Sequence, residues 1–169
     1  MRYENTGKDR FLESIPKEYI ESSQIEERCK FNFSYFDSSQ EAGQTLEEWM
    51  NVSGSCSLKT LFEKIKEFTR HPLAYWMKER AGSGSLKILA QYPEFPRQSD
   101  FKHPSHVPID VTWSRFRLGN KVRLIGFIIP ERICNSLNEK NAKGFLFDSN
   151  TFYVVFLDKN HQFYKSESK

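Results

Sequence analysis

The sequence predicts an α+β fold, with helices packed on one face of a small antiparallel sheet. Three observations predict it. CKFNFSYF (29–36) alternates at period two, as a strand does. SLKTLFEKIKEFTR (57–70) places Leu58, Leu61, Phe62, Ile65 and Phe68 on one helical face, with Lys59, Glu63, Lys66 and Glu67 opposite. Three further strand patterns close the chain, and strands segregated from helices in sequence are the signature of this class.

Residues 1–28 read as a polar arm with helical character, and residues 29–169 as a single domain. Within the arm, Leu12, Ile15, Tyr19 and Ile20 make one modest apolar stripe that Pro16 interrupts. DSSQEAGQ (37–44) is a loop, and TLEEWM (45–50) a helical turn carrying Leu46, Trp49 and Met50 at helical spacing. Ser57 is placed to cap the main helix, which Pro72 stops. PLAYWMKER then makes a short second helix, broken by AGSGS (81–85). Four of the seven prolines fall in 86–110, which predicts an irregular but ordered connection or short strand pieces. VTWSRFRL (111–118) and KVRLIGFII (121–129) form a hairpin about Gly119–Asn120. Residues 130–150 read as a polar excursion, and TFYVVFLD (151–158) as the last strand.

Composition narrows the function. Aromatic residues are 15% of the chain, too much ring surface for a disordered segment. No apolar run approaches the ~18 residues of a membrane span, and the mixed-charge start does not read as a secretory signal. Cys29, Cys56 and Cys134 are far apart without CxxC spacing, which points to buried free thiols in a reducing cytoplasm. The net charge is only +3, yet it is unevenly distributed. Residues 1–28 carry five basic and seven acidic side chains, whereas 95–125 carry six basic against two acidic. A local basic stripe on a nearly neutral chain indicates a discrete polyanion site, the alternative being a solvated strand face.

Alternation puts Val111, Trp113, Arg115 and Arg117 on one face of the first hairpin strand. On the second, Arg123 falls with Lys121, Ile125, Phe127 and Ile129. If the two faces coincide, three arginines converge, and clustered like charges call for an anion or an acid partner such as a distant Glu47 or Glu63. The tail KNHQFYK adds His161 and Tyr164, a proton carrier and a phenol, directly after the last strand.

WSRFRLGNKVRLIGFII followed by TFYVVFLDKNHQFYKSE resembles the RelE/YoeB/HigB superfamily of toxin ribonucleases. There a basic strand leads through a hairpin into a "YRLxY"-like strand, and the last strand ends in an "HRxxxY"-like tail. Arg123 stands at the arginine of the first signature, with Val122 where an aromatic is common. Arg115 and Arg117 stand at the basic pair, and His161 and Tyr164 at the tail residues, with Gln162 in place of the arginine. The resemblance implies a RelE/ParE-like fold with an N-terminal arm and insertions. It also implies a metal-independent, cofactor-free endoribonuclease acting on mRNA, associated with the ribosome and neutralised by an antitoxin protein. No DNA or membrane partner is expected. Arg117 and Arg123 would stabilise the phosphorane, His161 or Tyr164 would move protons, and Arg115, Lys121 and Lys165 would hold the RNA backbone. The alternative of a different class is a catalytically inactive module of the same fold that binds RNA or a protein partner in defence or immunity.

Other constellations are bland. His103 and His106 have a spacing some metal sites use, but lack the second ligand pair, so loop packing is the expectation. Phe145, Phe147, Phe152, Tyr153 and Phe156 are expected to pack in the sheet core.

Overall fold

Alternating β-branched and aromatic residues near the end of the chain build the centre of the sheet, and shorter strands flank them. The computed structural model describes residues 6–54, 57–138 and 143–165. Five strands, β1 (Lys30–Asn32), β2 (Leu89–Tyr92), β3 (Thr112–Arg117), β4 (Arg123–Ile128) and β5 (Thr151–Asp158), form one sheet in the order β1-β5-β4-β3-β2. The helices are α1 (Thr6–Ser14), α2 (Leu46–Met50), α3 (Leu58–Phe68), α4 (Leu73–Lys78) and α5 (Glu131–Asn138). The fold is α+β, but the sheet is mixed, not purely antiparallel: β1 runs parallel to β5. Parallel neighbours need a long crossover, and here nearly the whole domain lies between the two strands. The strand reading of 29–36 shrinks to Lys30–Asn32, because Asn32 turns the chain by accepting the Ser34 amide (2.8 Å).

Local signals fix the helices. Thr45 and Glu48 form a reciprocal capping box at α2, with Glu48 N–H donating to Thr45 Oγ1 (3.1 Å) and Thr45 N–H to Glu48 Oε2 (2.8 Å). Ser57 Oγ accepts the Thr60 amide (3.2 Å) and starts α3. Pro72 caps α4, whose Trp76 Nε1 donates back to the Phe68 carbonyl (2.7 Å) and locks the two helices at their junction. On α3, Leu61 and Phe68 are buried and Leu58 and Ile65 pack against the same core. Phe62, expected on that face, is exposed. Helix α5 was hidden in the polar excursion, since only Ile133, Cys134 and Leu137 mark its apolar side. The arm residues Leu12, Ile15, Tyr19 and Ile20 are all exposed.

The sheet is covered on both faces, so β4 is buried along its whole length. On one face α3 and α4 bring Leu61, Phe68, Leu73 and Trp76 against Phe116, Leu124, Phe152 and Leu157. On the other, the proline-rich segment and the tail supply Phe95, Phe101, Val107 and Phe163 against Trp113, Ile125, Phe127 and Phe156. The proline-rich stretch is thus a cover for the sheet, and its only strand, β2, extends the edge beside β3. Phe152 and Phe156 are core residues as expected, whereas Phe145 (76% exposed) and Phe147 (41%) are not, because the loop that carries them precedes β5. Cys29 and Cys134 are buried free thiols. Burial pushes Cys29 up to about 12, and its Sγ donates to the Phe68 carbonyl (3.2 Å). Cys56 lies outside the described residues.

One irregularity redirects the end of β5. Pairing with β4 shifts between Ile125 and Gly126, so that Ile125 faces Phe156 while Gly126 faces Val154. Val155, the extra residue, turns its carbonyl to the Asp37 amide (2.8 Å). As a result Val155 and Phe156 join the same core, and alternation resumes with Leu157 on the helix side. Asp158 therefore faces away from the helices, where an unbroken strand would have turned it toward them. Gly126 makes the bulge possible: a Cβ there would run into the Tyr153 carbonyl and would lie 2.7 and 2.9 Å from two atoms of the Phe152 ring. Gly126→Ala is expected to cost about 2–4 kcal/mol, read as a lower urea midpoint with unchanged slope. A midpoint equal to wild type would show that the strand accommodates the methyl group.

Candidate functional site

At the end of the sheet where β3 and β4 meet their connecting loop, Arg117 and Arg123 stand directly opposite one another. Arg115 follows on the same face of β3, so the two arginine faces do coincide. Opposed like charges destabilise a sheet unless something compensates. Here the loop carbonyls do so. Arg123 Nη1 donates to the carbonyls of Gly119 (3.0 Å) and Val122 (2.8 Å), and Arg117 Nη1 to those of Gly119 (3.3 Å) and Asn120 (3.1 Å). Gly119–Asn120 does make a hairpin, but a wider one than a two-residue turn, closed by the Leu118 amide on the Val122 carbonyl (3.1 Å). That width is what lets the carbonyls point inward at the guanidiniums. Arg115 Nε donates to the Tyr92 hydroxyl on β2 (2.6 Å).

The acid on this face is neither Glu47 nor Glu63, which lie on α2 and α3 at the helix side of the sheet. It is Asp158, the register partner of Arg123 and wholly buried. Its oxygens are taken by backbone amides: Oδ1 accepts from Asn160 (3.1 Å) and Gln162 (3.0 Å), and Oδ2 from Phe163 (2.9 Å). Among the described residues, no carboxylate lies within 4.0 Å of any of the three arginines. Arg115 Nη1, Arg117 Nε and Arg123 Nε are buried without a hydrogen-bond partner.

These amide bonds fold the tail into a tight turn with His161 in the left-handed region, φ +60°. The half-buried imidazole lies within the field of all three arginines. Burial first, then Arg123 and Arg115, with a smaller effect of Arg117, push its pKa below the ordinary imidazole range, against the pull of Asp158. The fold therefore favours the neutral form of His161. Arg123, 2% exposed, is held down to about 10 by burial and then by Arg115 and Arg117. Arg117 is lowered for the same reasons, burial first and then Arg115, and both stay charged at neutral pH. Tyr164 is exposed and stacks on Tyr92, ring centres 5.1 Å apart.

Arg115, Arg117, Arg123, His161 and Tyr164 thus come together at one end of the sheet. Lys121 is exposed in the adjoining loop, whereas Lys165 is tied to Asp100 (2.6 Å), so its charge is already met. Two residues of the site escaped the sequence reading, Tyr92 and Asp158. His103 and His106 are loop-packing residues, stacked or tilted against Phe95, Trp113 and Tyr35. Among the described residues, no group of three or more His, Cys, Asp or Glu side chains is arranged to hold a metal. Two grooves, of about 540 and 280 Å³, lie at the opposite end of β4, around Ile129 and Pro130. Among the described residues, no helix is long and apolar enough to cross a membrane. Comparison with protein-family models, curated proteins and solved structures finds no match to this chain.

Two measurements follow from this geometry. Asp158→Asn would set an amide NH2 against a backbone N–H and remove the charge facing Arg123, at a cost of about 3 kcal/mol or more by chemical denaturation. Loss of under ~1 kcal/mol would mean that the carboxylate is not what holds the turn. The depressed pKa of His161 favours its neutral form in the fold. Its contribution to stability is present above the ordinary histidine value of ~6.5 and is lost as pH falls through that value to the lower folded one. Imidazole resonances of His161 should titrate below the ordinary histidine value of ~6.5, and titration at or above it would contradict the arrangement.

Proposed function

We propose that the arginine end of the sheet is the phosphate site of a RelE-like, metal-independent endoribonuclease acting on mRNA. The observation that carries the reading is the convergence of Arg115, Arg117 and Arg123 with His161, with no carboxylate among the described residues within 4.0 Å of any of the arginines. The resemblance of WSRFRLGNKVRL and DKNHQFYK to that superfamily adds to it.

In this mechanism neutral His161 accepts the proton of the ribose 2′-hydroxyl, which attacks the adjacent phosphorus. Arg115 and Arg117, the half-buried pair, donate to the non-bridging oxygens as charge builds on the phosphorane. Arg123 lies beneath them, bonded to the loop carbonyls, and contributes its field and the position of the loop. Tyr164, at the rim, is the group available to protonate the leaving 5′-oxygen, and Lys121 follows the RNA backbone. Ribosome association and an antitoxin that covers the basic end belong to the same proposal.

The burial of Arg123 and its bonds to the loop favour a second reading, in which the arginines organise a binding surface without catalysis. Cleavage separates the two. Purified protein with ribosomes, mRNA and excess chelator is expected to produce new RNA ends. Arg117→Ala and His161→Ala should each lower the rate about 100-fold or more with soluble yield unchanged. RNA bound but intact under these conditions, and no growth arrest on induced expression, would leave the binding module and overturn the ribonuclease.

A further inference from the structure

The charge at the arginine end is larger than an internal phosphodiester requires. Three guanidiniums face one carboxylate there, and that carboxylate already accepts three amide hydrogen bonds. His161 is held toward its neutral form, and Lys165 is paired with Asp100. Among the described residues, two of the three guanidinium charges remain without a counterion. Each guanidinium also keeps one buried N–H without a protein acceptor: Arg115 Nη1, Arg117 Nε and Arg123 Nε. Arg115 is oriented by the Tyr92 hydroxyl, and Tyr92 is itself stacked on the exposed Tyr164. A fixed cationic fork therefore adjoins an aromatic face.

An internal phosphodiester carries one negative charge. A terminal phosphate monoester carries about −1.5 to −2 at pH 7 and offers three acceptor oxygens. The second matches the surplus charge. We propose that this site holds the terminal phosphate monoester of an RNA strand in preference to an internal phosphate, with Arg115 and Arg117 on its oxygens and Tyr164 against the terminal base. This rests on the reading of the arginine end as an RNA phosphate site. It makes a strand ending in a phosphate monoester, the end left once water has opened the 2′,3′-cyclic phosphate that 2′-hydroxyl attack forms, the tightest ligand of the site and hence an inhibitor.

The test uses the full chain and 2′-O-methyl hexanucleotides, which cannot be cleaved by 2′-hydroxyl attack. Three share one sequence and end in a 3′-phosphate, the methyl ester of that phosphate, or a 3′-hydroxyl. At pH 7.5 the monoester is expected to bind about tenfold or more tightly than its methyl ester, which has nearly the same shape and one charge less. Arg117→Gln and Arg115→Gln should each shrink that ratio, because each removes one of the charges that the second phosphate charge meets. Tyr92→Phe, which keeps the ring stack and removes the acceptor on Arg115, should also shrink it and so guards against a variant that fails to fold. Inorganic phosphate alone should compete only weakly, since it lacks the base. Competition by inorganic phosphate as strong as by the strand would assign the site to free phosphate and overturn the proposal. Equal affinities of monoester and methyl ester would overturn it too. Cleavage of ordinary RNA with equal affinities would leave the ribonuclease standing alone, and tight monoester binding without cleavage would do the reverse.

Discussion

Asp158 is the point on which the functional end of the molecule depends. Its carboxylate is wholly buried, faces Arg123 across the sheet, and gathers three amides of the following turn. An ionised carboxylate is tolerated in such a place only when hydrogen bonds and opposite charge replace water. Both are present, and each has a consequence. The amides fold the tail so that His161 sits in the left-handed region, and the charge offsets part of the repulsion among three arginines. The bulge at Gly126 sets this up by turning Asp158 to the arginine side of β5. A small backbone irregularity in the core thus decides what the surface can do.

Around that point the arginines divide the work by depth. Arg123 is interior and holds the loop through its carbonyls, half-buried Arg117 bonds the same loop, and half-buried Arg115 is tied to Tyr92. Planar guanidinium groups suit both tasks, since one fork can bond a carbonyl while its remaining N–H groups face elsewhere. Burial first, and then the same positive field that would attract a phosphate, hold the imidazole toward its neutral form. A bound anion would weaken that effect, so anion binding and protonation of His161 are linked in sign: each favours the other. The proline-rich segment, by covering the second face of the sheet, sets the partial burial that gives these charges their strength.

Much of this was legible in sequence, and the exceptions have physical causes. Period-two alternation placed Arg115, Arg117 and Arg123 on faces that the hairpin register then joined, because register in a hairpin is set locally by its short loop. Ser57, Pro72 and the spacing of Leu58, Leu61, Ile65 and Phe68 likewise identified α3 through short-range signals. Asp158 was invisible as a site residue because alternation fails at a bulge, and nothing in VVF marks one. Tyr92 was invisible because its role depends on pairing between β2 and β3, across 23 residues of chain. The parallel pairing of β1 with β5 is longer in range still, and a three-residue strand carries too little pattern to show its partner. Helix α5 was missed for a different reason, its apolar side being confined to Ile133, Cys134 and Leu137 within a polar stretch.

The most direct measurement is a titration of the isotopically labelled protein with an uncleavable 2′-O-methyl RNA, following arginine Nε–H and histidine ring resonances together. Arg115 Nε–H, Arg117 Nε–H and the ring of His161 should shift along one saturation curve, with the His161 pKa rising as the strand binds. Shifts confined to exposed lysines such as Lys59 and Lys66, with the arginines and His161 unmoved, would mean that the arginine end is a structural charge cluster and not a phosphate site.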